Sequence, residues 1–120
     1  MARILLADDD AAARDLVQRA LASDGHDVTA THDGAEALEQ LQGGGGAFEL
    51  LISDVQMPGV DGIELIEKAL VIAPKMRVIL MSGFSGELDR AKHLKSKLAG
   101  EITKPFTLDQ VRAAAKAALA

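Results

Sequence analysis

The chain has 120 residues, 48% of them hydrophobic and 26% charged but only 2% aromatic, so it suits one domain with an aliphatic core. Its 13 basic residues stand against 18 acidic ones, and the formal net charge of -5 disfavours sequence-independent attraction to nucleic acid or to anionic lipid. With no cysteine there is neither a disulfide framework nor thiolate chemistry, and the apolar run after Arg3 is too short for a signal peptide or a membrane span, so a cytoplasmic protein is expected.

In chain order, RILLA (3–7) has the length and composition of a strand buried on both faces. The stretch DDDAAARDLVQRALASDG then changes to helical spacing, with Leu16, Val17, Ala20 and Leu21 on one stripe and Gly25 as a stop. DVTAT (27–31) predicts a second strand before the helix GAEALEQLQ (34–42), and FELLIS (48–53) predicts a third before GIELIEKALVIA (62–73). RVILMS (77–82) precedes a weaker helical stretch around 86–98, and EIT (101–103) precedes the closing helix LDQVRAAAKAALA (108–120). The glycine run 43–46 can hardly continue a helix and predicts a mobile loop; a phosphate-cradling loop would instead follow a strand and open a helix. Five strands alternating with five helices imply right-handed crossovers. The expected fold class is therefore α/β, a mainly parallel sheet with helices on both faces, in one domain covering 1–120.

In open sheets of this kind, ligands collect at the carboxyl ends of the strands. Those ends carry Asp8, Asp9 and Asp10 after the first strand, Asp54 after the third, Ser82 at the fourth and Lys104-Pro105 after the fifth. Carboxylates gathered on one edge repel one another unless a cation joins them, and Mg²⁺, with Mn²⁺ as an alternative, suits such a set. Asp9 and Asp54 supply two carboxylates, Asp8 holds a metal-bound water, and the backbone carbonyl of Gln56 completes the protein's share. An ionised aspartate is a competent nucleophile toward phosphorus. In-line transfer to Asp54 then needs charge neutralisation by the metal and the Lys104 ammonium, with Ser82 donating to a remaining oxygen. Plainer roles suit other residues. Asp10 and Asp61 are placed to cap helices, Pro58 and Gly59 shape a turn after Met57, and His26, His32 and His93 read as scattered surface residues without a ligand-like cluster.

The motifs ILLADDD, SDVQMPGVDGIEL, VILMSG and ITKPF occur in this order at the strand ends, and together they resemble the receiver domains of two-component response regulators from about Arg3 to the C-terminus. The resemblance implies a CheY-like, flavodoxin-like doubly wound sheet of strand order 2-1-3-4-5. It implies Asp54 as phosphoacceptor, Asp8 and Asp9 as the acidic pair, Ser82 as the switch hydroxyl, Lys104 as the invariant-type lysine, and a cis bond at Lys104-Pro105. The phosphoryl donor would be a phosphohistidine on a sensor histidine kinase or a histidine phosphotransfer protein. Output would pass to a downstream protein through a changed surface on the fourth helix, fifth strand and fifth helix, with no enzymatic activity beyond the domain's own phosphorylation and dephosphorylation. One departure stands out: Glu101 lies three residues before Lys104, where the family often has an aromatic, so a buried aromatic swing is not the readout. Phe84, two residues after Ser82, is expected to take over part of that movement.

Two rivals are weaker. A haloacid-dehalogenase-type phosphohydrolase places a second acidic residue two positions after its nucleophile, and here that position is Gln56. A flavin-binding protein of similar topology needs a phosphate loop after the first strand, where Asp8, Asp9 and Asp10 would repel the phosphate. Because the chain ends with its fifth helix, the expectation is a stand-alone regulator, similar to those that pass signals between kinases or steer proteolysis.

Overall fold

The structure is a computed structural model that describes residues 2–43, 48–83 and 85–120. Strands β1 (Arg3–Ala7), β2 (Asp27–Thr31), β3 (Leu50–Asp54), β4 (Arg77–Ser82) and β5 (Gly100–Thr103) form one parallel sheet in the order β2-β1-β3-β4-β5. Around it lie α1 (Ala11–Ser23), α2 (Gly34–Gln42), α3 (Gly62–Ile72), α4 (Ser85–Arg90) and α5 (Leu108–Leu119). Among the described residues no helix is long and apolar enough to cross a membrane.

Because strand side chains alternate between faces, the near-continuous apolar runs divide into two cores. Leu5, Ala7, Leu51, Val78 and Leu80 pack with Ala37 of α2 and with Ile63, Leu65, Ile66 and Ala69 of α3. Ile4, Leu6, Leu50, Ile52, Ile79 and Met81 pack on the other face with Val17, Ala20 and Leu21 of α1 and Val111, Ala115 and Ala118 of α5. The middle strand β3 is buried along its whole length, including its final aspartate.

Several elements differ from the sequence expectation. Leu16 is 38% exposed, because the buried stripe of α1 is the narrow set Val17, Ala20 and Leu21, and Leu16 lies roughly 90° from its centre. β3 begins at Leu50 rather than Phe48 and extends to Asp54, since β1 pairs with it only from Ile4↔Leu50 while Asp54 pairs with Met81. The helical stretch around 86–98 divides into α4 and a 3₁₀ segment, Lys92–Lys97. Its inward residues Leu88, Ala91 and Leu94 recur every third position, the period of a 3₁₀ helix. His26 is half-buried rather than superficial, because its ring accepts a hydrogen bond from the Ala2 N–H at 3.2 Å. Gly43 ends α2, whereas the remainder of the glycine run, and Phe84, lie outside the described residues.

One glycine seats the site. Gly62, the first residue of α3, donates its N–H to the Val55 carbonyl at 2.8 Å, and a Cβ there would stand 1.9 Å from the Asp54 carbonyl oxygen. The chain reaches this position through Gly59, whose φ of 75° is in the left-handed region that suits glycine.

Candidate functional site

The parallel sheet delivers the ends of β1, β3, β4 and β5 to one edge, and each end fixes a polar group. After β1, Asp8 is fully buried; its N–H donates to the Thr31 carbonyl at 3.2 Å, and its own carbonyl accepts from Arg14 Nη1 at 2.8 Å. Its Oδ1 accepts the Asp10 N–H at 3.0 Å. Asp10 is the N-cap of α1, accepting from the Ala12 N–H, so its role is capping as expected. Asp9, between them, is exposed.

Asp54 ends β3 and is 7% exposed. Its Oδ1 accepts the Val55 N–H at 3.0 Å, and its Oδ2 lies 3.0 Å from Lys104 Nζ, which also lies 3.3 Å from Asp8 Oδ2. Lys104 is held just past β5 by its own N–H, which donates to the Ser82 carbonyl at 2.7 Å, and the Lys104-Pro105 bond is cis. Ser82 is buried at the end of β4, and its Oγ has no hydrogen-bond partner among the described residues.

Burial lifts the Asp54 carboxyl from its ordinary 3.8 to about 6, reinforced by the charge of Asp8 and opposed by the hydrogen bond and charge of Lys104. For Lys104, burial alone would lower the pKa. The hydrogen bond to Asp54 and the negative charges of Asp8 and Asp54 outweigh it, and the net shift is upward. At neutral pH, then, Asp54 is mainly a carboxylate and Lys104 an ammonium.

The donor set also fits a hard divalent cation. Asp8, Asp9 and Asp54 each offer an oxygen, all within 4.8 Å of one another. Three carboxylates against the single Lys104 ammonium leave two negative charges over, and oxygen ligands of this kind suit Mg²⁺. Gln56 lines the same cleft, beside Asp9, Asp54, Gly83 and Lys104.

All six residues singled out from the sequence therefore meet at this edge, while the histidines do not. His32 contacts Asp33 and Glu36, and His93 contacts Glu67, away from the cluster. Asp61 caps α3 through the Glu64 N–H and also pairs with Arg90 at 2.8 Å. Two residues were missed. Ser53 Oγ donates to the Asp54 carbonyl at 2.9 Å, and Glu87, 3% exposed, lines the cleft with Asp54. In sequence Ser53 is one small residue inside an apolar strand and Glu87 one charge in SGELDR, so neither carried a signal of its place.

The sequence profile of the response regulator receiver domain matches residues 4–116. The response regulator receiver protein CpdR of Brucella abortus is 38% identical over 108 residues, which cover 90% of this chain and 88% of that protein. Response regulator MprA of Mycobacterium ulcerans is 31% identical over 117 residues, 98% of this chain but 50% of MprA, so the chain spans half the length of that relative. A CheY-like receiver domain protein from Methanospirillum hungatei, known from its crystal structure, superposes with a TM-score of 0.88 at 28% identity, covering 99% of this chain and 94% of the other.

Proposed function

This chain belongs to the response regulator receiver family, and on that premise we propose that Asp54 is the aspartate that receives the phosphoryl group. Response regulators interact with histidine kinases or phosphotransfer proteins, which supports a phosphohistidine on such a protein as the donor here. The observation that supports the assignment most is the Lys104 ammonium, held 3.0 Å from Asp54 and 3.3 Å from Asp8 at a buried strand end.

In the forward step an Asp54 carboxylate oxygen bonds to phosphorus as the donor's phosphorus–nitrogen bond breaks. The departing imidazole keeps the electron pair. In reversal, water attacks phosphorus, the acyl phosphate bond breaks, Asp54 returns as a carboxylate and inorganic phosphate leaves. Asp54 must be ionised to attack, and a pKa near 6 leaves it so at neutral pH. Lys104 neutralises charge on the phosphoryl oxygens, and the Ser82 hydroxyl, which has no partner among the described residues, donates to one of them, which draws the end of β4 toward Asp54. Asp9, Asp54 and the Gln56 carbonyl would hold Mg²⁺ or Mn²⁺, with Asp8 acting through a water. When bound, the ion would neutralise further charge on the transferring group.

The wider reading is a single receiver over 1–120 that works in the cytoplasm and signals by protein contacts, without direct nucleic acid or membrane binding, its own phosphorylation and dephosphorylation being its chemistry. Exposed Glu101 on β5 offers charge to a partner in place of an aromatic switch. Labelling with acetyl phosphate and Mg²⁺ tests the core of it: Asp54→Asn should abolish incorporation, whereas Asp10→Asn should retain it. Labelling that survives the first change assigns the acceptor elsewhere.

A further inference from the structure

Glu87 has no part in the chemistry above, yet it is the least expected charge near the site. It is 3% exposed, and among the described residues its one hydrogen bond is accepted from the Gly83 N–H at 2.5 Å, with no cation paired to it. A buried carboxylate without a counter-charge is costly, so the short charge-assisted bond to Gly83 is what retains it. Gly83 directly follows Ser82, and Gly83 and Glu87 both line the cleft that contains Asp54 and Lys104. The end of β4 thus presents two neighbouring donors: the Ser82 hydroxyl, which has no partner among the described residues, and the Gly83 N–H, which an internal anion already holds.

We propose that Glu87 is a latch that occupies the Gly83 amide in the unphosphorylated chain and is displaced when a phosphoryl group enters the cleft; the proposal rests on the reading of Asp54 as phosphoacceptor. A phosphoryl group carries about two negative charges into a cleft already lined by Asp9, Asp10, Asp54 and Glu87 against Lys104. Asp9 and Asp54 are committed to metal and phosphorus, and Asp10 caps α1. Glu87 is the one of the four with no such duty. Its departure frees the Gly83 N–H for a phosphoryl oxygen, removes a like charge, and releases the bond that ties α4 to the end of β4. No covalent bond changes at Glu87: one hydrogen bond passes from carboxylate to phosphoryl oxygen, and the carboxylate moves into water.

Beryllofluoride, a phosphoryl mimic, tests this on the full chain in the presence of Mg²⁺ by calorimetry, with the Gly83 amide followed by NMR. Glu87→Ala, which removes acceptor and charge, should tighten beryllofluoride binding roughly tenfold, equivalent to about 1.4 kcal/mol. Glu87→Gln keeps the acceptor without the charge, folds on the same shape, and should fall between Ala and wild type. Without beryllofluoride, the Gly83 amide resonance should move upfield in Glu87→Ala. Equal affinity in all three chains overturns the latch. So does weaker binding by Glu87→Ala with Glu87→Gln like wild type, since Glu87 is then only a brace for the loop. A wild-type chain that binds no beryllofluoride removes the phosphoacceptor reading, and the latch with it.

Discussion

Asp54 sets two opposing effects against each other in one side chain, and pH separates them. Its folded pKa of about 6 lies above the ordinary 3.8, so the folded chain binds the proton more tightly than the unfolded one. That contribution to stability is complete below the ordinary value and is lost as pH rises through 6. Asp54→Asn imitates the protonated form. In metal-free buffer it should melt a few degrees above wild type near pH 8, a difference that closes toward pH 4; an Asn variant less stable at the higher pH would rank the Lys104 ion pair above burial. The two serines differ in the same measurable way. Ser82→Ala removes a buried hydroxyl with no partner among the described residues and should leave stability unchanged or slightly raised, whereas Ser53→Ala removes a bonded one and should cost about 1 kcal/mol in urea unfolding. Neither environment was legible in the chain, because satisfaction of a hydroxyl depends on the neighbours that folding brings to it.

At the scale of elements, the strand–helix junctions decide where the chemistry sits. The first turn of α3 rests on the end of β3 with no room for a methyl group, so Gly62→Ala should destabilise by about 1–3 kcal/mol and lower phosphoryl labelling by shifting Asp54. Melting and acetyl phosphate labelling on the same samples check this, and full labelling by a stable Gly62→Ala chain would show that Asp54 tolerates movement of its strand end. Asp10 and Asp61 cap α1 and α3 as the sequence suggests, because capping depends on residues a few positions apart, while Asp33 and Thr107, which the sequence did not single out, cap α2 and α5. The region after β4 is less legible in the sequence. Leu88, Ala91 and Leu94 have a three-residue spacing that a helical template absorbs without registering the change to 3₁₀. Phe84, expected to move with Ser82, lies outside the described residues.

For the molecule as a whole, the site exists only as an assembly of four strand ends, and its ligand should therefore stabilise the entire fold. Mg²⁺ at about 100 times its dissociation constant should add about 2.7 kcal/mol to unfolding. EDTA should abolish the increment and Asp9→Asn should reduce it, since Asp9 is the exposed member of the cluster. A melting temperature indifferent to Mg²⁺ in the wild-type chain would count against a metal at Asp8, Asp9 and Asp54. By itself the sequence determined the α/β class, the five strand–helix units and the polar residues at the strand ends, because periodicity, caps and turns act over a few neighbouring residues. Tertiary structure alone decided that Lys104 bridges Asp8 and Asp54, that Gly62 must stay bare, and that Glu87 lies buried against Gly83. Those facts depend on distances between segments up to 96 residues apart, which close only when the parallel sheet packs between its two layers of helices.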